Sequence, residues 1–132
     1  MASLDLTTNR EAVAKATYSF ARDGGAVGDI ALVGDNIPKG ATILDTLIKV
    51  ETAPDSAGHT ATVALKVQSA ADLQAAKVVS EAPWSTAGAK RGGLTATTAP
   101  VLLTARHAIT ATVAVQALTA GKFTVYVRYL RP

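Results

Sequence analysis

The sequence predicts an all-β domain, an antiparallel β-sandwich of the jelly-roll type with at most one short helix. Most apolar segments alternate with polar residues at a period of two, which is typical of strands that bury one face. Turn residues such as Gly, Pro, Asp and Asn separate these segments, and no long helical pattern lies between them. Strands that follow one another directly favour an antiparallel sandwich, and about eight strands with one long connection fit a jelly roll best.

Four strands are predicted in the first half of the chain, over residues 13–20, 27–33, 41–52 and 60–67. The third of them carries apolar side chains on both faces. Ile43 and Leu47 share one parity, whereas Leu44 and Ile48 share the other. We therefore expect one face of this strand to lie in the core and part of the other to be covered by a neighbouring molecule.

The second half contains the only helical candidate, residues 69–80, where Ser69 could cap a short helix with Asp72 three positions on. Residues 83–93 have the composition of an irregular loop. The remaining segments are predicted to be strands, and the last two of these to form a hairpin around Ala120-Gly121-Lys122; these strands span residues 94–98, 101–104, 108–118 and 123–129.

The length of 132 residues fits one domain, and 48% hydrophobic with 17% charged residues is a globular composition. We place the domain at residues 12–132, after a polar N-terminal arm of residues 1–11 that could become ordered only on binding. Much of the apolar content is alanine, and aromatic residues make up only 5%. Because small side chains bury little area each, burial against other subunits is expected to add stability.

No pattern predicts a catalytic or metal centre, so we expect neither an enzyme nor a cofactor. The chain has no cysteine, and its two histidines, His59 and His107, have no carboxylate next to them in sequence. No Gly-x-Ser-x-Gly motif is present. The net charge of +3 is spread along the chain without the aromatic residues that accompany single-strand binding, so no specific nucleic acid is expected. No apolar run reaches the ~20 residues of a membrane span, and the first residues do not resemble a signal peptide.

The candidate interface residues come from three parts of the chain. Trp84 lies in the predicted loop, where it either covers one end of the sandwich or contacts a partner subunit as an energetic hot spot. A third possibility, that Trp84 stacks on a sugar, lacks the additional polar and aromatic partners of lectin sites. The full set of candidate contacts is Trp84, Lys90, Arg91, Ile43, Leu47, Leu4 and Leu6.

The segment Ile37-Pro38-Lys39-Gly40-Ala41-Thr42-Ile43 is followed by an alternating strand, a Gly-containing loop and Thr-Ala-Thr-Val-Ala-Leu. Together with the last strand, Phe123-Thr-Val-Tyr-Val-Arg-Tyr-Leu130, this pattern resembles the small head decoration, or cement, proteins of tailed bacteriophages. The resemblance covers about residues 25–130. It implies a jelly-roll subunit without catalytic residues.

The resemblance further implies that the protein binds the outer surface of a phage head and clamps neighbouring major capsid protein subunits. It also implies a homodimer or homotrimer, made in the cytoplasm of a bacterial host and located in the virion. The alternative function is a carbohydrate-binding or adhesin-type β-sandwich module of a phage head fibre or tail. A cupin-like or hydrolytic enzyme is a third hypothesis, which bound metal at His59 or His107 would support.

Overall fold

The computed structural model of the chain describes residues 10–93 and 100–132. These residues form eight strands and one short helix. The elements are β1 (Glu11–Ser19), α1 (Phe20–Asp23), β2 (Gly28–Ile37), β3 (Thr42–Ser56), β4 (Thr62–Lys66), β5 (Gln74–Val78), β6 (Gly88–Arg91), β7 (His107–Ala114) and β8 (Leu118–Leu130).

All strand pairs are antiparallel, and the strands lie in the order β5-β4-β7-β2-β1-β8-β3-β6. This order divides into two four-stranded halves, β5-β4-β7-β2 and β1-β8-β3-β6, and the chain passes repeatedly from one half to the other. Such a path is that of a jelly roll, in which two sheets enclose one core. The predicted fold class is therefore confirmed.

The two halves join where β1 and β2 pair, at Ala16–Gly34 and Thr17–Val33 only. Gly34 has a φ of +152°, and a Cβ atom there would lie 2.2 Å from the Lys15 carbonyl oxygen. Only glycine allows the two backbones to approach this closely without displacing one of them. Beyond this contact, towards the beginning of β1, the two strands no longer pair.

The core consists mostly of Ala, Val, Ile and Leu side chains, with three aromatic rings at its centre. Phe123 of β8 lies between the other two, with its ring centroid 5.1 Å from that of Tyr18 and 4.8 Å from that of Trp84. The Trp84 indole Nε1 donates a hydrogen bond to the Val63 carbonyl oxygen at 3.1 Å. Trp84 thus connects β4 of one half with β8 of the other.

This position corrects the interpretation of Trp84 as a contact to a partner subunit. The side chain is 0% exposed, because the loop before β6 folds into the core, so a partner docking on the surface does not reach it. The same loop is less irregular than expected, since residues 88–91 pair with β3 as strand β6. An indole fills a large volume and can still satisfy its own donor, as Trp84 does through the Val63 carbonyl oxygen.

Ile43 is likewise a core residue, at 2% exposure, and not an exposed contact. The register of β3 against β8 shifts between Ile43 and Asp45, which indicates a bulge at this point. A bulge of one residue exchanges the two faces of a strand. Ile43 and Ile48 are therefore both buried although their parity differs. Neither side chain requires a neighbouring molecule to cover it, whereas Leu47 is exposed.

The predicted helix over residues 69–80 is wrong, because residues 74–78 form β5 and pair with β4. Asp72 does not support a helix cap at Ser69. Its carboxylate instead accepts hydrogen bonds from the backbone N–H groups of Val67, Gln68 and Ser69, at 2.7, 3.0 and 2.8 Å. These three bonds hold the turn that connects β4 with β5.

The predicted C-terminal hairpin is also wrong. β7 pairs with β2 and β4, whereas β8 pairs with β1 and β3, so consecutive strands lie in opposite halves. Gly121, expected in the turn, lies within β8 at a φ of +143° and approaches Pro54 closely. The predicted strand over 94–98 lies outside the described residues, and only Leu102 of the segment 101–104 forms an isolated bridge, with Thr42.

The Tyr18 hydroxyl is buried and donates to the Gly24 carbonyl oxygen at 2.5 Å. Burial, together with the nearby Asp23 carboxylate, raises the Tyr18 pKa to about 12. Because the unfolded chain ionises this group first, near its ordinary pKa of 10.0, the free energy of unfolding is expected to fall as the pH rises from about 10 to about 12. Urea titrations across this range are expected to show a shallower fall for Tyr18→Phe, and identical slopes would contradict the assignment.

Candidate interaction surface

The outward face of β1-β8-β3-β6 carries an exposed mixture of apolar and charged side chains, which we call the β8 face. Cross-strand registers place Val13 opposite Arg128 and Arg128 opposite Asp45, while Tyr126 lies opposite Leu47 and Leu47 opposite Arg91. Residues directly opposite each other project from the same face of a sheet. The members of the β8 face are Val13, Asp45, Leu47, Arg91, Tyr126, Arg128 and Leu130.

Three apolar side chains of the β8 face are exposed to solvent. Val13 is 57% exposed, Leu47 is 41% exposed and Leu130 is 39% exposed. Val13, Leu47 and the half-buried Tyr126 ring line an open depression of about 370 Å³. A depression of this kind can receive an apolar side chain from a partner.

A network of ion pairs runs through the same face. The Arg128 guanidinium donates to both carboxylate oxygens of Asp45, from Nη2 at 3.0 Å and from Nε at 3.3 Å. Its Nη1 donates to Glu11 Oε1 at 3.2 Å. The hydrogen bonds to Asp45 raise the Arg128 pKa above its ordinary value, so this side chain stays charged. The network fixes the orientation of Arg128 and Asp45 on the surface before any partner binds.

Arg91 extends this charged network at the sheet edge. Its Nη1 lies 4.0 Å from Asp45 Oδ2, and its side chain is 84% exposed. Most of the guanidinium is therefore available to an additional acceptor. The β8 face can thus offer both a fixed ion pair and a free cation, which are features that set the orientation of a protein partner.

Of the predicted contact residues, the structure brings Leu47 and Arg91 together on this face. Lys90 instead points away from it and holds the preceding loop, since its Nζ donates to the Thr86 carbonyl oxygen at 2.7 Å. Leu4 and Leu6 lie outside the described residues. The Asp45 carboxylate forms its ion pairs with Arg91 and Arg128 of its own chain.

Val13, Tyr126 and Arg128 belong to the surface but were not singled out from the sequence. Strand alternation does place Tyr126 and Arg128 on one face of the last strand. The missing information was which strands flank β8, because that pairing connects positions more than eighty residues apart, such as 45 and 128.

His59 forms a pair with a carboxylate that sequence adjacency did not indicate. Its Nδ1 lies 2.6 Å from Asp55 Oδ1, four residues earlier, and this hydrogen bond lowers the Asp55 pKa. Ser80 and Ser85 line the same depression of about 290 Å³, yet no hydrogen bond within residues 10–93 and 100–132 joins either serine to His59. The arrangement is a histidine–aspartate pair without a positioned nucleophile.

Two other kinds of site, a metal centre and a membrane-spanning helix, have no counterpart among the described residues. No group of three or more His, Asp and Glu side chains in that part of the chain could hold a metal ion. None of its helices is both long enough and apolar enough to cross a membrane.

No known protein family matches the chain, and no curated protein matches it. Solved structures do share its fold. A chain in the acidic stable capsid structure of Helicobacter pylori bacteriophage KHP30 matches with a TM-score of 0.62 and 18% identity, over 93% of this chain and 89% of that one. A chain in the capsid asymmetric unit of cyanophage Pam1 matches with a TM-score of 0.63 and 23% identity, over 92% of this chain and 85% of that one. At such identities the similarity shows a common fold.

Proposed function

We propose that this protein is a structural subunit of a bacteriophage virion. It acts as a decoration, or cement, protein that binds the outer surface of the head and clamps neighbouring major capsid protein subunits. The observation that carries the proposal is the common fold with chains from two phage capsid structures, over 93% and 92% of this chain. The strand pattern of the sequence, which resembles phage decoration proteins, supports the same function independently.

The β8 face is the surface proposed to contact the shell. Its exposed apolar side chains are shielded from water when a partner covers them, which stabilises the complex by about 25 cal/mol for each Å² of apolar surface. Its ordered Arg128–Asp45 pair offers charges in fixed positions. A modest contact of this kind is sufficient in a homodimer or homotrimer, because the avidity of linked contacts greatly exceeds the affinity of each one.

The alternative, a carbohydrate-binding or adhesin module, depended on an accessible aromatic platform. Trp84 is 0% exposed and its indole N–H is already bonded to Val63, so it does not stack on a sugar. No other observation favours that function over a capsid subunit. Assembly with further copies of itself and a location in the virion follow from the capsid proposal and share its support.

The proposal is tested by adding the purified protein to phage shells that lack it. The temperature and the force at which the shells rupture are expected to increase, because each bound copy must detach before its neighbours separate. Cosedimentation with the shells measures the binding itself. Shells that bind no protein, or that rupture at unchanged temperature and force, would show that the protein is not a cement subunit.

Leu47→Asn is expected to weaken binding to the shell severalfold, because complete burial of an apolar side chain contributes about 1.5–3 kcal/mol and a partner can cover the 41% of Leu47 that is exposed. The matched control is Val115→Asn, which changes a side chain that is 73% exposed and lies outside the β8 face. Cosedimentation at several protein concentrations gives both affinities. Equal losses for the two variants would show that the β8 face is not the contact.

A further inference from the structure

The first half of β1 has a free edge. On one side, β1 pairs with β8 along its whole length, from Glu11–Leu130 to Ser19–Lys122. On its other side, pairing with β2 is confined to the positions around Ala16 and Thr17. Strand edges with unpaired backbone groups are the places where a further strand adds to a sheet.

The direction of the backbone groups at this edge follows from one hydrogen bond. The Lys15 backbone N–H donates to the Asp35 Oδ2 atom at 3.0 Å, so the amide of Lys15 points towards β2. Backbone groups of a strand alternate between its two sides. Those of Val13 and Glu11 therefore point the same way as those of Lys15, but no strand in the described part of the chain pairs with them there.

These groups open into a space of about 440 Å³, which we call the β1–β2 cleft. Its volume is within the range of ligand-binding clefts, and it has both polar and apolar walls. The cleft is lined by Val13, Ala14, Asp35, Asn36, Pro38, Arg106 and Tyr129.

Arg106 gives the cleft its charge preference. No carboxylate among residues 10–93 and 100–132 lies within 4.0 Å of its guanidinium. Its contacts are neutral, because the Asn36 amide oxygen, when turned towards it, accepts from Nη2 at 2.9 Å and from Nε at 3.3 Å. Asp35, the one acid of the cleft, is engaged by the Lys15 amide. An extended segment that carries a carboxylate fits this cleft best.

We propose that residues 3–7 of a second copy of this chain pair with the free edge of β1 as an added strand. In Ser3-Leu4-Asp5-Leu6-Thr7 the apolar and polar side chains alternate, and Asp5 is the only acid. Leu4 and Leu6 then lie beside the exposed Val13, while Asp5 faces Arg106 from the opposite side of the added strand. This is β-strand addition, with backbone hydrogen bonds supplying affinity and alternate side chains supplying specificity.

The donor is a second copy because of the direction in which the chain enters β1. The Arg10 carbonyl oxygen accepts from the Arg131 N–H at 2.7 Å, which continues the β1–β8 register one residue beyond the end of the strand. At Arg10 the chain therefore still runs in line with β1 and away from its own cleft. A return of residues 3–7 to the edge of the same β1 would need a tight turn within residues 8–10, which exchange between two copies does not require.

Disulfide formation between single-cysteine variants tests the exchange directly, since the natural chain contains no cysteine. Leu4→Cys and Leu6→Cys each supply an arm position, and Val13→Cys supplies the β1 edge. After oxidation of mixed variants at micromolar concentration, the Leu4→Cys or the Leu6→Cys chain is expected to form at least tenfold more heterodimer with Val13→Cys than with Val27→Cys. Val27 is a matched control, because it is 59% exposed compared with 57% for Val13.

The proposal would be overturned if neither Leu4→Cys nor Leu6→Cys formed a heterodimer with Val13→Cys while circular dichroism showed each variant to be folded. A double variant that forms its disulfide only within one chain would overturn the assignment to a second copy. Arg106→Gln is expected to reduce the heterodimer yield severalfold, whereas Arg106→Lys is expected to retain it. An unchanged yield in Arg106→Gln would contradict the proposed contact between Asp5 and Arg106. None of these measurements involves a shell, so their outcome is independent of the capsid proposal.

Discussion

Replacing Trp84 with alanine is expected to lower the free energy of unfolding by about 3–5 kcal/mol, which is the usual cost of truncating a large buried aromatic side chain. Trp84 is the largest of the fully buried side chains among the described residues. Its removal leaves a cavity beside Phe123 and an unpaired acceptor at the Val63 carbonyl. Since domains are stable by about 5–15 kcal/mol, this loss is a large part of the total.

Urea unfolding followed by circular dichroism measures this loss, because the alanine variant no longer contains tryptophan for fluorescence. Trp84→Phe keeps much of the ring volume and loses the donor to Val63, so a smaller loss is expected. Leu47→Ala, on the exposed β8 face, is expected to change the free energy of unfolding by less than about 0.5 kcal/mol. If Trp84→Ala costs no more than Leu47→Ala, the loop before β6 does not pack into the core.

The strands with strong alternation were predictable from the sequence. The residues of β1 and β7 bury alternate side chains where period two indicates, whereas β4 buries Val63, Ala64 and Leu65 in succession. About eight strands were predicted and the described residues contain eight, although β5 and β6 were not among the predicted segments. Local patterning is informative for β1 and β7 because one face of each of these strands is buried and the other is more exposed to solvent.

β5 shows where local preference fails. Gln74, Ala75, Ala76 and Lys77 all favour helix in isolation. In the fold, however, this segment lies beside β4, and pairing with it satisfies its backbone groups. Strand formation at a sheet edge depends on the neighbouring strand more than on intrinsic preference. The Asp72 turn that delivers the segment to β4 was visible in the sequence only as a possible helix cap.

The candidate surface was predictable only in part, for a related reason. Leu47 and Arg91 were named from the sequence, but their common face depends on the bulge near Ile43 and on the pairing of β3 with both β6 and β8. The burial of Trp84 depends equally on contacts with distant strands. The free edge of β1 exists because β1 and β2 pair at two positions and then separate. The alternation of side chains within either strand does not indicate where they separate.

Replacing Asp72 with alanine is expected to lower the free energy of unfolding by about 3 kcal/mol, since backbone hydrogen bonds to a charged acceptor contribute about 1.5–3 kcal/mol each and water recovers part of the loss. Asp72 is 4% exposed and accepts three backbone N–H groups, from Val67, Gln68 and Ser69. Without the carboxylate these donors are left close to the core. The turn that carries the chain from β4 to β5 then keeps only backbone hydrogen bonds, such as that from the Asp72 N–H to the Ser69 carbonyl oxygen.

Two variants separate the charge of Asp72 from its shape. Asp72→Asn keeps one acceptor oxygen, so about half of the loss is expected, measured by urea unfolding and by amide exchange in β4 and β5. Asp29→Ala is the control, because its carboxylate is half exposed and bonds only the side chains of Lys66 and Thr112. A much smaller loss is expected there, since exposed ion pairs contribute little. If Asp72→Ala is no more destabilising than Asp29→Ala, backbone pairing of β4 with β5 alone holds this edge of the sandwich.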